Sequence, residues 1–118
     1  MRYDIVPVPK PRMTRADAWK KRKSVLNYWA FKAECELKIR NVQINGKKII
    51  FNIPMPKSWP KYRKAAEEGQ PHRQKPDIDN LCKALLDALM DDDSGISDIS
   101  LSKRWAVEGS IEIEEKVL

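Results

Sequence analysis

The sequence predicts an α+β fold: a small mixed sheet with packed helices, in a single domain that spans residues 1–118. Three observations predict it. Apolar residues recur at helical spacing in Ile78–Met90, Asn45-Gly46 separates two short apolar runs, and Ile96–Val107 and Ile111–Val117 alternate as strands do. The resulting order is strand, helix, two strands, short helix, helix, two strands.

The first part of the chain is predicted to form one strand and one long helix. Arg2–Val8 alternates apolar and polar residues and should stop near Pro7, followed by an extended, proline-bearing basic loop over Pro9–Arg15. A helix capped by Thr14 is then expected from Arg15 to about Arg40. Its apolar positions at helical spacing are Trp19, Leu26, Trp29, Ala30, Ala33 and Leu37.

The middle of the chain is predicted to contain a hairpin and a short helix. Val42 and Ile44 precede the Asn-Gly turn and Ile49–Ile53 follows it, so the two segments should pair. Pro60–Glu68 should be helical, because proline suits a first helical turn and Gly69 follows the last residue. A basic loop over Gln70–Pro76 then leads to the third helix.

Two cysteines and most of the large aromatic residues are predicted to be core residues. Cys35 and Cys82 lie far apart in apolar helical patterns, so we expect buried free thiols, not a disulfide or a zinc site. A reducing cytosol is the simplest compartment for such a chain. Tyr62 and the tryptophans are expected in the core by their spacing, with a stacking or interface role as the alternative for Trp59.

The overall charge points to a polyanionic partner. The net charge is +6 and the sequence pI is about 9.4, and nucleic acid is the default partner of such a basic domain. An anionic membrane surface or a ribosome-associated role is the competing interpretation. No apolar run has the length of a membrane span, and the polar start Met1–Asp4 is not a signal peptide, so we expect no membrane association. His72 is the single histidine, which excludes mechanisms that need a histidine pair.

Acidic residues are concentrated in one segment of this basic chain. Seven of the 17 acids lie between Asp77 and Asp98. Asp79 and Lys83 could be an ordinary surface pair four residues apart, but Asp91–Asp93 follow a helix C-terminus, where the helix dipole disfavours anions. An EF-hand is excluded, because it would need glycine at Ile96 and glutamate at Ser102. We therefore predict a divalent-cation site beside bound nucleic acid.

These residues resemble the signature of the RusA family of Holliday junction resolvases. The central motif is Pro76-Asp77-Ile78-Asp79-Asn80-Leu81, continuing through Lys83 to Asp87-Ala88-Leu89. Asp92-Asp93-Ser94-Gly95-Ile96 follows it and leads to a basic strand end at Ser102–Trp105, and Pro9–Arg12 and Ile53-Pro54 match further landmarks. The similarity covers most of the chain.

The resemblance implies a metal-dependent, structure-selective endodeoxyribonuclease that acts as a homodimer on four-way DNA junctions, with no small-molecule substrate. Asp77 and Asp79 match the paired motif aspartates, Lys83 the lysine one turn later and Asp93 the third catalytic aspartate. Mg²⁺, for which Mn²⁺ could substitute, is the expected cofactor of such oxygen ligands. A bacterial or phage role in DNA recombination or repair is also implied.

The position of the third carboxylate stays open at the level of sequence. Asp93 follows from the motif, but Asp92 or Asp91 takes the role if the preceding gap is placed differently, and Asp92 is also a candidate metal ligand. Asp98 is a remoter candidate within a strand pattern. Asp87 lies on the helix face of Asp79, either next to the site or as a surface charge.

Basic residues around the acidic segment are predicted to bind DNA phosphates, with strong salt dependence and little base recognition. They are Lys10, Arg12, Arg15, Lys20, Lys21, Arg22, Lys23, Arg73, Lys75, Lys103 and Arg104.

Two other functions fit parts of the sequence. One is a module that binds branched or single-stranded DNA without cutting it, and the acidic cluster argues against it, because acids weaken DNA binding unless a metal neutralises them. The other is a nuclease of the same chemistry that acts on flaps or replication forks, which the sequence does not separate from a resolvase.

Overall fold

A four-stranded mixed sheet with helices on one face forms the framework of the molecule. The computed structural model describes residues 1–12 and 22–116. Within these residues the elements are β1 (Arg2–Tyr3), α1 (Lys23–Lys38), β2 (Lys47–Pro54), α2 (Lys61–Glu67), α3 (Ile78–Leu89), β3 (Ser100–Ala106) and β4 (Ser110–Glu115).

The sheet has the strand order β1-β4-β2-β3, which confirms the predicted mixed α+β architecture. β2 is central: it pairs antiparallel with β4 and parallel with β3, with Phe51 opposite both Ile111 and Lys103. A parallel pair needs a long crossover, and here α2 and α3 provide it between β2 and β3. This crossover places the N-terminus of α3 beside β3.

The hydrophobic core lies between one face of the sheet and the helices α1 and α3. Ile49, Phe51 and Ile53 alternate along β2 towards this face, and Leu81 and Leu85 of α3 are fully buried among them. Full burial of an aliphatic or aromatic side chain contributes about 1.5–3 kcal/mol, so these residues fix α3 firmly against the sheet. The acidic motif therefore stands on a rigid element.

The buried face of α1 differs from the predicted one. Val25, Tyr28, Phe31 and Cys35 are buried, whereas the predicted positions Leu26, Trp29, Ala30, Ala33 and Leu37 are exposed. Two apolar stripes run along this helix, and tertiary packing selected the other one. The predicted start at Arg15, the Thr14 cap and Trp19 lie outside the described residues.

The predicted hairpin at Asn45-Gly46 is wrong. A turn is present, with Gly46 at φ 80°, but Val42 and Ile44 form no strand. The side-chain oxygen of Asn45 instead accepts hydrogen bonds from the backbone N–H groups of Ser97 and Asp98 at 2.9 and 3.0 Å. The turn thus tethers the segment before β3. The strand β3 is also shorter than predicted, because Ile96–Ile99 does not belong to it.

The predictions for α3 and the cysteines are confirmed, whereas that for Tyr62 is wrong. Leu81, Cys82, Leu85 and Leu86 are buried, and both cysteines are buried free thiols. Burial raises the pKa of Cys35 to about 12, with further upward contributions from the charges of Glu34 and Glu36. Tyr62 is 79% exposed on α2, a helix with no buried residue. None of the helices in residues 1–12 and 22–116 could span a membrane.

Candidate active site

Two predicted catalytic acids stand at the N-terminus of α3. Asp77 occupies the N-cap position, where its carbonyl oxygen accepts the Leu81 N–H at 3.2 Å, but its carboxylate makes no capping hydrogen bond. Asp79 lies in the first turn, and the side chain is 67% exposed. The helix dipole favours negative charge at this end of the helix, so both carboxylates are well placed to meet a cationic ligand.

Lys83 lies one turn along the same helix. Its Nζ atom is 3.9 Å from Asp79 Oδ2, at the upper limit for an ion pair, and its side chain is 62% exposed. Exposed pairs at this spacing contribute little to stability, so Lys83 is free to turn towards a ligand of Asp79.

Lys103 anchors the loop that leads into the acidic motif. Its Nζ atom donates hydrogen bonds to the backbone carbonyls of Gln74 at 2.6 Å and Pro76 at 2.7 Å. Lys103 was expected to contact DNA, but its ammonium group is engaged by this loop. The bond to Pro76 fixes the residue immediately before Asp77 against β3.

Asp93 and Asp79 both act electrostatically on the same thiol, that of Cys82 in α3. Burial raises the pKa of the Cys82 thiol, and the negative charges of Asp93 and Asp79 raise it further. Both carboxylates are therefore close enough to Cys82 to affect its ionisation, although they are far apart in the chain.

The other candidates for the third carboxylate are Asp91, Asp92 and Asp98, and none of them has a contact with the motif acids among the described residues. Asp92 Oδ1 accepts the backbone N–H of Ser94 at 2.9 Å, and this bond, with one from the Ser94 side chain, lowers the pKa of Asp92. Asp98 pairs with Lys116 at the far end of the β2–β3 pair. Asp91 is exposed.

A groove runs between the N-terminal loop and the start of α3. Its volume is about 470 Å³, and its lining includes Lys10, Lys75, Asp77 and Asn80. The Lys10 backbone N–H donates to the Asn80 carbonyl at 3.2 Å, which holds the loop along α3. Two lysines thus border the groove that Asp77 enters, an arrangement suited to a phosphate beside a cation.

Asp87, two turns further along α3, has a different environment. Its Oδ2 atom accepts hydrogen bonds from Lys10 Nζ at 2.6 Å and from the Tyr28 hydroxyl at 3.1 Å. Burial raises the pKa of Asp87, but the bonds from Lys10 and Tyr28 outweigh it and leave the pKa below its ordinary value. Burial and the bond to Asp87 raise the pKa of Tyr28 to about 12. Asp87 therefore ties the N-terminal loop and α1 to α3.

The donor set fits magnesium in its chemistry. No group of three or more His, Cys, Asp or Glu side chains is close enough to hold a metal ion among residues 1–12 and 22–116. Magnesium, however, is commonly held by one or two carboxylates together with water and substrate phosphates. The uncapped carboxylate of Asp77 and the exposed one of Asp79 meet that requirement.

The other predicted DNA contacts are spread over several surfaces. Lys23, Arg73 and Lys75 are exposed, whereas Arg104 is half-buried beside Asn52 on the sheet face opposite α3. Arg22 donates to the Arg12 carbonyl at 2.8 Å, so it supports the N-terminal loop. Arg15, Lys20 and Lys21 lie outside the described residues.

The sequence indicated Lys10 and Lys103 as DNA contacts, whereas the structure shows both ammonium groups bonded within the protein, to Asp87 and to the loop before Asp77. Nothing in the residue pattern distinguishes Lys103, which holds the loop before Asp77, from a DNA-binding lysine. The bond between Lys10 and Asp87 joins residues far apart in the chain, so local spacing could not indicate it. His72 is buried and packed against Trp105.

Paired acids at a helix N-terminus, beside a groove bordered by lysines, are an arrangement typical of the class of proteins that act on phosphate esters. The family model of endodeoxyribonuclease RusA matches residues 3–115 of the chain. The chain therefore belongs to the RusA endodeoxyribonuclease family, whose activity is directed at Holliday junctions. No curated protein and no solved structure gives a match.

Proposed function

We propose that this endodeoxyribonuclease resolves four-way DNA junctions by magnesium-dependent hydrolysis, as a homodimer that makes paired symmetric nicks during recombination or repair. The observation that carries the proposal is the open N-terminus of α3, where Asp77 and Asp79 are held on a rigid helix without strong partners. A bacterial or phage-infected cytoplasm is the corresponding setting.

Three carboxylates would hold the ion in this proposal. Asp77 and Asp79 would supply oxygens from the helix start, and Asp93, which the motif makes the third acid, would join them on binding of metal and DNA, since no three acids are close enough to hold a metal among residues 1–12 and 22–116. Asp92 is the neighbouring candidate, although its carboxylate is engaged by Ser94. When bound, Mg²⁺ lowers the pKa of a coordinated water and stabilises the leaving oxygen, and Mn²⁺ should support the same chemistry.

Lys83 has the position of a catalytic cation in this proposal. Its ammonium group lies beside Asp79 and is exposed, so it can approach the non-bridging oxygens of a phosphate held at the acids. Charge that develops on these oxygens in the transition state would be stabilised by the lysine. A simple ion pair would instead leave the cleavage rate unchanged on removal of Lys83.

The basic residues around the groove would neutralise DNA phosphates. Lys75 lines the groove, Arg73 is exposed two residues before it in the chain and Lys23 is exposed at the start of α1, whereas the ammonium group of Lys10 is held by Asp87. Each phosphate contact releases counterions, so junction binding should weaken strongly with salt.

A dimer follows from the chemistry of resolution. Two opposed strands must be cut, and each protomer supplies one pair of motif acids. A twofold dimer would present two sites across the junction.

The deciding experiment is cleavage of a labelled four-way junction and a matched linear duplex, with Mg²⁺, Mn²⁺ or chelator. We expect paired nicks in the junction with either metal and none with chelator. Asp79→Asn and Lys83→Ala should each lower the cleavage rate by about 100-fold or more while junction binding is retained.

Asp98→Asn is the matched control, because it removes one carboxylate of the same acidic segment away from the helix. It should cleave at the wild-type rate, whereas Asp93→Asn should not. Wild-type cleavage by Asp79→Asn would refute the proposed metal site. Preferential cleavage of flaps or forks would replace the junction by that substrate, and tight binding without cleavage in every metal would refute resolution.

A further inference from the structure

The short helix α2 is largely exposed, with only Lys64 and Glu67 half-buried, yet it is fixed at both ends. None of its residues is buried, so its own packing does not explain its position. Before it, the Trp59 ring packs on Trp105 with centroids 4.8 Å apart. After it, Glu68 Oε2 accepts the Val107 N–H at 3.0 Å, and the Gly69 N–H donates to the Trp105 carbonyl at 2.9 Å. The β3 strand therefore holds α2 in place while its surface faces solvent.

The exposed surface of α2 is basic and aromatic. We call it the α2 patch, and it consists of Lys61, Tyr62, Arg63 and the half-buried Lys64 of the helix, together with Lys57 in the turn before it. None of its four cations pairs with a carboxylate among the residues the structure describes, and the next acid after the patch in the chain is Glu67. Unpaired like charges repel one another, so their clustering favours an anionic partner.

The aromatic residue of the patch has no structural task. Tyr62 is 79% exposed and makes no ring contact within the described part of the chain. Exposed large aromatic rings among cations are typical of surfaces that stack on nucleic-acid bases, because every base has a flat face.

Arg63 is pre-oriented within the patch. Its guanidinium lies 3.7 Å from the centre of the Trp59 ring, a cation–π contact. An arginine ordered in this way loses less conformational entropy when it binds a phosphate.

A continuous series of contacts joins the patch to the acidic site. The Trp59 ring packs on Trp105, Trp105 packs on His72 at 4.3 Å, and the His72 N–H donates to the Lys103 carbonyl at 3.1 Å. Lys103 in turn binds the Pro76 carbonyl, next to Asp77. The patch and the acids are thus mounted on the same strand, β3.

We propose that the α2 patch binds one arm of the branched DNA substrate, with its cations on the phosphates and Tyr62 stacked on a base opened at the branch point. This inference rests on the proposed function and identifies how that substrate is held beyond the cleavage site. A linear duplex offers phosphates but no open base, so Tyr62 gives selectivity and the cations give affinity. A protein partner would explain neither the unpaired cations nor the aromatic ring among them as directly.

The test measures equilibrium binding of a four-way junction and of a matched linear duplex, with chelator to prevent cleavage, over a series of salt concentrations. The variants are Lys61→Gln/Lys64→Gln and Tyr62→Ala. The controls are Lys47→Gln, at a lysine that is paired with Glu115, and Trp29→Ala, at an exposed aromatic residue, both on other surfaces. Lys47 starts β2, and β2 places it about 20 Å along the sheet from the strand ends that hold α2.

The double lysine variant should weaken binding of both DNAs about tenfold at moderate salt and reduce the slope of log affinity against log salt by about 2. Tyr62→Ala should weaken junction binding about tenfold and leave duplex binding unchanged. The two controls should bind both DNAs as the wild type does. Because α2 has no buried residue, the patch variants should also keep the wild-type melting temperature.

Wild-type affinity in the patch variants, or an equal loss in the controls, would overturn the proposal. Equal weakening of junction and duplex by Tyr62→Ala would overturn the stacking role. These binding results are independent of cleavage: a wild-type protein that binds through the patch but never cuts would refute the proposed function alone.

Discussion

The two ends of α3 hold aspartates of the same type in opposite situations. Asp87, near the C-terminal end, is bonded to Lys10 and Tyr28, and its side chain is 35% exposed. Asp79, near the N-terminal end, is 67% exposed and lies 3.9 Å from the nearest ammonium group. Asp87 therefore joins the N-terminal loop and α1 to α3, whereas Asp79 on the same helix joins α3 to no other segment among the described residues.

The difference separates structural charge from functional charge. A carboxylate with two donors stabilises the folded state, and each hydrogen bond to a charged group contributes about 1.5–3 kcal/mol before solvent screening. An exposed carboxylate contributes little, so the fold does not explain its presence. Asp77 and Asp79 are available to a ligand because the helix dipole and backbone bonds, not side-chain partners, define the helix start.

Metal-dependent cleavage at the N-terminal end of α3 should depend on Lys103 more than on any exposed lysine of the groove. We expect Lys103→Met to raise the Mg²⁺ concentration for half-maximal cleavage about tenfold, because Asp77 loses its fixed loop. Cleavage at saturating Mg²⁺ should recover most of the wild-type rate, which separates positioning from catalysis. Titration of cleavage rate against Mg²⁺ checks this.

Lys75→Met is the control for Lys103→Met, since it removes an exposed cation from the same loop. It should weaken DNA binding at unchanged Mg²⁺ dependence. If Lys103→Met shows weaker DNA binding with the wild-type Mg²⁺ dependence, Lys103 is a DNA contact, as the sequence alone had indicated.

Substitutions at Asp87, near the C-terminal end of α3, should lower the stability of the folded protein. Asp87→Asn should lower the free energy of unfolding by about 1 kcal/mol, since a partly exposed ion pair is screened by solvent. Tyr28→Phe should lower it by a similar amount, and the double variant by less than the sum, because both residues share one contact. Denaturant unfolding measures all three.

Asp79→Asn is the counterpart of Asp87→Asn in this comparison. It should keep the wild-type unfolding free energy and lose cleavage. The distinction between the two ends of α3 would be lost if Asp79→Asn proved less stable than the wild type while Asp87→Asn kept the wild-type stability.

The sequence predicted α3 well because one strong apolar stripe and one dense acidic motif coincide there. Leu81 and Leu85 are buried as expected, and Asp77 and Asp79 remain exposed on the opposite side. It predicted α1 poorly, since Leu26 and Trp29 form a second apolar stripe that packing leaves exposed. Spacing alone cannot rank two stripes, which only the partner surface distinguishes.

Long-range hydrogen bonds account for the other differences. An Asn-Gly pair normally closes a hairpin, but Asn45 binds the backbone of Ser97 and Asp98, and β2 pairs with β3 and β4 instead. Lys103 likewise looks like a strand-end cation in the sequence. Its engagement with the Gln74 and Pro76 carbonyls depends on the parallel register of β2 and β3, which no local pattern specifies.

The smallest expected effect is the pH dependence of the stability that Asp87 contributes. The pKa of Asp87 is lower in the folded protein than its ordinary value of 3.8, so the folded state binds this proton less readily than the unfolded chain. The contribution of Asp87 to stability is therefore fully present above pH 4 and is lost as the pH falls through the folded pKa.

The Asp87→Asn variant has no such proton to bind. The difference in unfolding free energy between wild type and Asp87→Asn should shrink by a fraction of a kcal/mol between pH 6 and about pH 3. A constant difference over this range would show that Lys10 and Tyr28 do not stabilise the charge of Asp87.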